Sequence, residues 1–463
     1  MTNKYNMFKA GVWYTVGNLI IKGIPFFSVP IFVRILSTAD FGIYNTYIAY
    51  ESILSIIFEL GFSGTVKTAK FEFDEDFETY ISSIYTLLSI FFIIVLPLSV
   101  VFKSVIKTSG WFTVRVLIIL LIHSFANAIF NINGVKFVIN GQYKLNLLYT
   151  FISTILNIGL SLILCLYIFN AYFGRILGTA VSYWVIMFII LLSQYRKVPI
   201  NINKKFWNYA LQMGLPLIPH LVSVTLLSSC DKIMIQKMVG SSEAGIYSLA
   251  VNLVAVLSVF LTSIENAWAP WFYSNLHTKN YTQIKERNTF LIWGFAYLTS
   301  GFCLVGPELI AIFSTKEYTN SIFALVPLSL SIFLNFIYLM PVNLEYFNKR
   351  TLYISVATII CAAFNIILNY FFIKYMGYIY AAHATCLSKL GLLFIHYFVA
   401  KKIDTHSMFN EKSALLACII VLLISIIDVN TIGSIVIRWG IAFFLTIIVA
   451  VVLIHNKKIG VKS

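Results

Sequence analysis

The sequence consists mostly of long apolar stretches, each bounded by charged or turn-forming residues. A helix crosses the roughly 30 Å hydrocarbon core of a bilayer with about 20 residues. Of the 463 residues, 59% are hydrophobic and only 11% are charged, whereas soluble domains have about 25% charged residues. This balance excludes a soluble enzyme and predicts an all-α polytopic membrane protein with about 14 transmembrane helices. The predicted spans are 8–36, 41–64, 79–102, 113–139, 145–169, 173–194, 208–239, 244–269, 289–314, 321–346, 351–373, 377–400, 412–428 and 433–455.

The basic residues indicate the orientation of these spans. The net charge is +15, but the 33 Lys and Arg residues are spread between apolar blocks rather than gathered in one basic tract. A nucleic-acid partner is therefore not expected. If the N-terminus is cytoplasmic, about two thirds of these residues fall on the cytoplasmic side, as the positive-inside rule requires. We expect a multi-pass membrane protein with both termini in the cytoplasm.

An internal repeat relates the two halves of the chain. Residues 34–44 read RILSTADFGIY and residues 237–247 read KMVGSSEAGIY, at an offset of 203. The same offset pairs Gly11 with Gly214 and Gly174 with Gly377, and a five-residue shift pairs Leu156-Asn157-Ile158 with Phe364-Asn365-Ile366. Six spans per repeat give halves of parallel topology, an arrangement found in transporters.

The repeat predicts three regions. These are an N-terminal six-helix bundle at 1–200, its repeat at 201–402, and an appended transmembrane hairpin with a cytoplasmic tail at 403–463. Two like bundles around a central cavity are suited to alternating access. Pro25 and Pro30 in span 1 and Pro216 and Pro219 in span 7 occupy equivalent helices. Since proline kinks a helix, these four residues are candidates for gating; the alternative is that proline is simply common in membrane helices.

Four segments resemble the Wzx-type polysaccharide (oligosaccharide) flippases of the MOP exporter superfamily. They are GVWYTVGNLIIKGIPFFSVPIFVRILSTADFGIY, its counterpart GLPLIPHLVSVTLLSSCDKIMIQKMVGSSEAGIY, and the pair LNIGLSLILCLYIFNAYFGRILGTAVS and FNIILNYFFIKYMGYIYAAHATCLS. The resemblance covers about residues 8–400. It implies alternating-access transport of undecaprenyl-pyrophosphate-linked oligosaccharide from the cytoplasmic to the outer leaflet, for O-antigen, capsule or exopolysaccharide assembly. The implied partners are that substrate, membrane lipids and the polysaccharide polymerase machinery. The implied location is the bacterial cytoplasmic (inner) membrane.

Ionisable residues inside the spans are the candidate functional groups, because such residues are costly in a membrane. Lys22 and Lys389 are the first candidates for the pyrophosphate, with Arg34 and Arg175 nearer the outer mouth. The alternatives are an ion pair of Lys22 with Glu51 and interfacial snorkelling of both arginines. Asn18, Asn127 and Asn335 are suited to bind sugar hydroxyls or, alternatively, to form interhelical hydrogen bonds.

The energy source is expected to be an ion gradient, because the sequence lacks a GxxxxGK[ST] nucleotide-binding motif. Asp231 and Glu51 are candidates for binding Na⁺ or H⁺, with local pairing to Lys232 or Lys237 as the alternative for Asp231. No catalytic residue, resident metal or other cofactor is predicted. Two other functions are considered: a cation-coupled multidrug exporter of the same superfamily, and a membrane polysaccharide polymerase or ligase. The mid-span lysines disfavour the first and the short outer loops disfavour the second.

Overall fold

The computed structural model describes residues 23–105 and 110–458, with side chains placed for 23–102 and 110–447. Most of these residues are in helices, and no strand occurs among them. The helices are α1 (Gly23–Ile35), α2 (Thr38–Glu59), α3 (Phe62–Glu72), α4 (Phe77–Val105), α5 (Val114–Ile139), α6 (Tyr143–Tyr167), α7 (Ala171–Lys197), α8 (Lys204–Gly214), α9 (Ile218–Met238), α10 (Ser241–His277), α11 (Tyr281–Leu304), α12 (Gly306–Phe313), α13 (Ile322–Phe347), α14 (Thr351–Tyr375), α15 (Ala381–Ile403), α16 (Glu411–Asn430) and α17 (Ile435–Lys458).

The all-α membrane fold expected from the sequence is confirmed. Ten helical segments of the described chain are long and apolar enough to cross a membrane, and α11 with α12 forms an eleventh if this pair, bent by 55°, is one span. The count of 14 is not confirmed. Helices α1 and α17 have described apolar segments that are too short, and α2 carries polar residues such as Asn45 and Glu51 along its length.

The chain divides into two compact units, Met1–Ser248 (the N-terminal unit) and Leu249–Ser463 (the C-terminal unit). The boundary lies inside α10, whose first two turns belong to the N-terminal unit. The three regions expected from the repeat, 1–200, 201–402 and 403–463, stay a prediction.

Several span boundaries differ from the sequence-based prediction for local reasons. Helix α2 ends at Glu59 rather than near residue 64, because Leu60 and Gly61 take positive φ angles of 52° and 71°. The run predicted as span 7 is divided into α8 and α9 by a 3-10 turn at Leu215–Leu217. Helix α10 continues to His277 through what was predicted to be a loop.

The helices of the N-terminal unit pack around two hydrophobic clusters. One contains Phe58, Tyr85 and Phe125 and lies where α2, α4 and α5 meet. The other contains Tyr47, Leu120 and Ile176 and joins α2, α5 and α7. Small residues allow α6 and α7 to approach closely: a Cβ atom at Gly178 would lie 2.5 Å from the Ser161 backbone. Close helix contact through small residues is typical of membrane proteins.

A glycine pair within the N-terminal unit holds the start of α2 against the start of α10. A Cβ atom at Gly42 would lie 2.7 Å from the Gly245 amide nitrogen and overlap the Ser241 carbonyl. A Cβ atom at Gly245 would lie 3.1 Å from the Gly42 nitrogen and overlap the Thr38 carbonyl. Ser241 follows Thr38 by 203 residues, as Gly245 follows Gly42. Each glycine therefore contacts the residue equivalent, in the repeat, to the one that the other glycine contacts. Contacts around a twofold axis have the same property.

The C-terminal unit packs around a third cluster, in which α11, α13 and α16 contribute buried side chains such as Phe295, Phe336 and Val421. Most residues of helix α13 are buried, and α15 packs along it. Polar side chains on α13 and α15 therefore have to find partners inside the protein, since burial without a hydrogen bond is costly.

Candidate functional site

Arg175 on α7 lies buried near the start of its helix, with only 7% of its surface exposed. Its guanidinium lies 3.7 Å from the centre of the Phe32 ring and 4.5 Å from that of Tyr44. Its Nη1 donates to Asn157 Oδ1 at 2.9 Å. Within the described part of the chain it forms no ion pair with a carboxylate, so two aromatic faces and an amide stabilise the charge in place of an acid.

Arg34, the other arginine expected near the outer mouth, is in a different environment. It lies exposed in the last turn of α1, and its Nη1 donates to the Pro30 carbonyl at 3.1 Å. The side chain of Arg34 is exposed, whereas the guanidinium of Arg175 is enclosed. The two arginines that were predicted to lie near the outer mouth therefore differ in their exposure.

Glu51 and Asn127 are brought together by α2 and α5. Asn127 Nδ2 donates to Glu51 Oε1 at 2.8 Å, and Glu51 is 5% exposed. One turn away on both helices, Tyr47 Oη and His123 Nδ1 form a hydrogen bond of 3.0 Å, and Tyr183 packs on the imidazole at 4.9 Å between ring centres. The predicted amide and the predicted carboxylate thus form one buried polar cluster in the N-terminal unit.

Asp231 on α9 is a second buried carboxylate of this unit, with 4% exposure. Tyr247 Oη donates to its Oδ2 at 2.6 Å, and Cys230 Sγ donates to its Oδ1 at 3.5 Å. Lys232, the adjacent residue, is buried as well and interacts electrostatically with Asp231. The tyrosine of the second repeat motif, Tyr247, therefore binds a predicted ion-coupling residue.

Lys389 belongs to the C-terminal unit, where α15 packs on α13. Its Nζ donates to Asn335 Oδ1 at 3.2 Å, and both residues are partly buried. Asn335, the third amide considered for sugar binding, thus forms an interhelical hydrogen bond with the lysine predicted to bind pyrophosphate. Lys22 and Asn18, the remaining predicted residues, lie outside the described residues.

The four prolines expected to act in gating occupy two kinds of position. Pro25 and Pro30 lie within α1, and the carbonyl of Pro25 accepts a hydrogen bond from Ser28 Oγ at 2.7 Å. Pro216 lies in the 3-10 turn that separates α8 from α9, and Pro219 lies in the first turn of α9. The second pair marks a junction between helices, and a gating role for either pair stays a prediction.

Sequence reasoning missed a polar network that follows the repeat. Asn157 Oδ1 accepts from Thr179 at 3.1 Å as well as from Arg175. In the C-terminal unit Asn365 Nδ2 donates to Thr385 at 3.4 Å, and Asn369 Nδ2 donates to Asn365 at 3.1 Å. The alignment of Asn157 with Asn365 in the repeat was a signal for this network, but we used it only to align the two halves of the sequence.

A metal centre is not seen in the described ranges: none of their His, Cys, Asp and Glu side chains form a group of three or more suited to a metal ion. The buried polar groups are instead pairs and triads that join neighbouring helices. Such groups can hold a proton, a monovalent cation or an anionic headgroup.

Two relatives from Haemophilus influenzae align with most of the chain. One is named for the Lsg locus and is 24% identical over 417 residues, which cover 86% of this chain and 99% of the relative. The other, an uncharacterized membrane protein, is 24% identical over 425 residues, with 84% and 96% covered. These relatives support a multi-pass membrane protein.

Solved structures with the same fold are transporters and flippases, not catalytic enzymes. The lipid II flippase MurJ in an inward closed conformation superposes with a TM-score of 0.73 at 16% identity, covering 96% of this chain and 99% of MurJ. An inward-facing MATE family multidrug transporter of the MOP superfamily gives 0.65 at 14% identity, with 83% and 94% covered.

The family pattern described as "Polysaccharide biosynthesis protein" matches residues 7–276, more than half of the chain. The matched region includes the first repeat motif, the glycine pair and the clusters around Glu51, Arg175 and Asp231. The resemblance to the Wzx-type flippases of the MOP superfamily is thereby confirmed, and the chain belongs to the polysaccharide biosynthesis protein family.

Proposed function

We propose that this protein is an alternating-access flippase that moves undecaprenyl-pyrophosphate-linked oligosaccharide units from the cytoplasmic to the outer leaflet of the bacterial inner membrane. The product would supply the assembly of O-antigen, capsule or exopolysaccharide, with polysaccharide polymerases as downstream partners. Membership of the polysaccharide biosynthesis protein family and the fold shared with transporters support the proposal. Both termini are expected to be cytoplasmic.

The observation that carries the mechanism is the reciprocal contact of Gly42 with Gly245. These glycines occupy equivalent places in the repeat, at the starts of α2 and α10. In the proposed orientation they lie at the outer side of the membrane, where the contact holds two equivalent helices together. A transporter that alternates has to make and break such contacts once in each cycle.

The charged residues receive roles within this proposal. Lys389, Lys22, Arg34 and Arg175 supply positive charge for the pyrophosphate, because cationic side chains form strong hydrogen bonds with phosphate oxygens. Asn18 and Asn127 are assigned to sugar contacts. Glu51 and Asp231 are the candidates for coupling to Na⁺ or H⁺, since both are buried carboxylates.

The proposal is tested by complementation of a flippase-null strain that carries a defined glycan pathway. Surface glycan is measured together with lipid-linked oligosaccharide on the cytoplasmic side. Restored surface glycan is the expected result. If the lipid-linked unit stays on the cytoplasmic side although the protein is present in the membrane, the flippase assignment is wrong; increased resistance to cationic drugs in the same strain would instead favour an exporter.

The glycine contact is tested in the same strain with Gly42→Ala and Gly245→Ala. Overpacking typically costs about 1–3 kcal/mol, which corresponds to a roughly 5- to 150-fold loss of the closed arrangement. Gly159→Ala on α6 is the matched control, because a Cβ atom there meets nothing within 4 Å. Equal losses in the two variants, with the control unchanged, are expected; full activity of both variants would remove the contact from the mechanism.

A further inference from the structure

Contacts between neighbouring helices bring the ends of α10, α13 and α15 together in the C-terminal unit. Tyr273 Oη, near the end of α10, donates to Asn343 Oδ1 on α13 at 3.1 Å. His396 Nδ1 on α15 lies 2.9 Å from Glu345 Oε1 in the last turn of α13. Each of the three helices ends within about two turns of these contacts, since a turn takes about 3.6 residues. Their C-terminal ends are therefore neighbours.

The segments that follow these helices pack at the same place. Tyr281, at the start of α11, stacks on the ring of His406, with 4.0 Å between ring centres. Asn410 Nδ2, just before α16, donates to Thr289 Oγ1 on α11 at 3.1 Å. Helices α10, α13, α14, α15 and α16 are each long and apolar enough to cross a membrane. Their joined ends therefore lie where spans leave the hydrocarbon core, and they form a helix-end face made of residues 277–287, 346–353 and 397–412.

The helix-end face is strongly basic. Its exposed basic residues are Lys279, Lys285, Arg287, Lys349, Arg350, Lys401, Lys402 and Lys412. Its acidic residues are Glu286, Asp404 and Glu411. Asp404 accepts hydrogen bonds from the backbone of its own loop, and Glu411 lies 3.6 Å from Lys401. Most of the positive charge on this face is therefore left uncompensated by its acids.

Aromatic rings accompany several of these cations. The Arg287 guanidinium lies 5.6 Å from the centre of the Trp271 ring, and that of Arg350 lies 5.8 Å from the centre of the Tyr353 ring. Tyr353 and Phe347 are 53% and 44% exposed. Aromatic side chains at the ends of membrane spans lie at the level of the lipid headgroups. The cations beside them are thus placed at the depth of lipid phosphates.

The equivalent part of the N-terminal unit has the opposite charge. The repeat offset of 203 aligns Lys279 with Asp76, and it aligns the exposed His277 with the exposed Asp74. Glu75, between these two acids, is exposed as well. Basic residues that serve only as topology signals are expected in both halves, because the positive-inside rule applies to all short cytoplasmic loops. The excess of positive charge on the helix-end face therefore calls for a cause specific to the C-terminal unit.

We propose that the helix-end face binds the phosphate groups of anionic phospholipids and so holds the C-terminal unit at an anionic membrane surface. Clusters of about four to eight Lys and Arg residues beside a transmembrane helix are typical of proteins that recognise anionic headgroups. The exposed aromatic side chains supply apolar contact with the adjoining acyl chains. This inference does not depend on the proposed flippase function, because lipid binding requires no transport substrate.

The first measurement compares two lipids on the full-length protein in nanodiscs. The bilayer contains equal amounts of phosphatidylglycerol and phosphatidylcholine with the same acyl chains, and native mass spectrometry counts the lipids of each kind that stay bound to the released protein. An excess of bound phosphatidylglycerol is expected. The excess should fall as the salt concentration rises, because salt screens exposed charges. Equal retention of the two lipids would overturn the proposal.

The second measurement locates the bound lipid with two matched variants. The C-terminal variant carries Lys349→Gln, Arg350→Gln, Lys402→Gln and Lys412→Gln. The N-terminal variant, the control, carries Lys67→Gln, Lys144→Gln, Arg196→Gln and Lys204→Gln. Each removes three lysines and one arginine at exposed positions, so both variants should fold.

The preference for phosphatidylglycerol should fall roughly tenfold or more in the C-terminal variant and stay within about twofold of the wild type in the control, because the attraction adds up over neighbouring cations. Lys401 is kept in the C-terminal variant, since its removal would leave Glu411 without this cation. Equal losses in the two variants would mean that the basic residues act only as topology signals, and the proposal would then be wrong.

A third measurement separates a bilayer lipid from a diphosphate headgroup. Inorganic pyrophosphate is added at constant ionic strength, and it should displace little phosphatidylglycerol, because the lipid is also held by its acyl chains. Complete displacement would assign these cations to a diphosphate group and overturn the phospholipid proposal. A protein that restores surface glycan without preferring the anionic lipid would refute this inference alone and leave the flippase function in place.

Discussion

The two units carry different polar clusters at equivalent places, where α5 packs near α7 and α13 packs near α15. In the N-terminal unit Lys136 Nζ donates to Glu78 Oε2 at 2.7 Å and to Gln194 Oε1 at 2.6 Å, and Gln194 Nε2 donates to the Glu78 carbonyl at 3.0 Å. In the C-terminal unit a single bond joins Glu345 to His396. The first cluster satisfies its buried charge, and the second does not.

The comparison shows that equivalent helix positions can serve different purposes after a duplication. The cluster around Lys136 joins α4, α5 and α7 through three hydrogen bonds. The pair of Glu345 and His396 joins α13 and α15 through one hydrogen bond, and Glu345 Oε2 and His396 Nε2 have no hydrogen-bond partner among the described residues. The difference predicts that the N-terminal cluster contributes more to the stability of the protein than the C-terminal pair.

The largest effect is expected from Lys136→Met, which removes the central cation of the N-terminal cluster. Breaking a buried pair from one side costs about 3–5 kcal/mol, and we expect the lower end, about 3 kcal/mol, because the Glu78 side chain is 35% exposed. The free energy of unfolding of the purified protein, measured in detergent, checks this.

A second substitution shows where this loss arises. Adding Glu78→Gln to Lys136→Met should recover part of the stability, since the unpaired carboxylate is then absent. A double variant that is as unstable as Lys136→Met alone would contradict the assignment of this loss to the unpaired carboxylate.

An intermediate effect is expected from Arg175→Lys. Arg175 stacks between Phe32 and Tyr44, and an ammonium group cannot reproduce this planar contact. A loss of about 1–2 kcal/mol in the free energy of unfolding is expected. Arg115→Lys is the control, because Arg115 is exposed near the start of α5 in the same unit. The repeat aligns Arg175 with Tyr378 of the second half. The second half therefore has no arginine at the equivalent position. Equal stability of both variants would contradict a structural contribution from stacking.

The smallest effect is expected from Asp74→Asn. Asp74 pairs with Lys70 at 3.1 Å, but its side chain is 79% exposed. Exposed ion pairs contribute about 0–1 kcal/mol, so the midpoint of unfolding should barely change. Asp74 lies one turn before Glu78, so this variant removes an exposed ion pair close to the buried one. Its effect on stability shows how much an ion pair contributes when it is not buried. A loss as large as that of Lys136→Met would mean that burial does not explain the first result.

The sequence predicts the helices better than their interruptions. Long apolar runs determine that α4 to α7 cross the membrane, because a bilayer leaves few alternatives to a helix. The end of α2 depends on two consecutive residues with positive φ, Leu60 and Gly61, of which only the glycine is a recognisable signal. The bend between α11 and α12 likewise lies inside an apolar run that reads as one span.

The sequence predicts which residue types belong to the candidate site, but it does not predict which of these residues contact one another. Glu51 and Asn127 both stand out as polar residues in apolar helices, yet their hydrogen bond joins residues 76 positions apart. His396 attracts no attention in the sequence, because only its contact with Glu345 makes it unusual. The repeat is the exception: it aligns Gly42 with Gly245 from sequence alone, and their contact in the fold follows that alignment.

The glycine pair also limits how the two halves can change. A methyl group at residue 42 or 245 would meet backbone carbonyls, those of Ser241 and Thr38, and a backbone atom cannot be made smaller by any substitution. A clash between two side chains can often be relieved by a second mutation that makes one of them smaller. A clash with a backbone carbonyl cannot be relieved in this way. Recovery from Gly42→Ala should therefore come from true reversion, or from changes that move a whole helix.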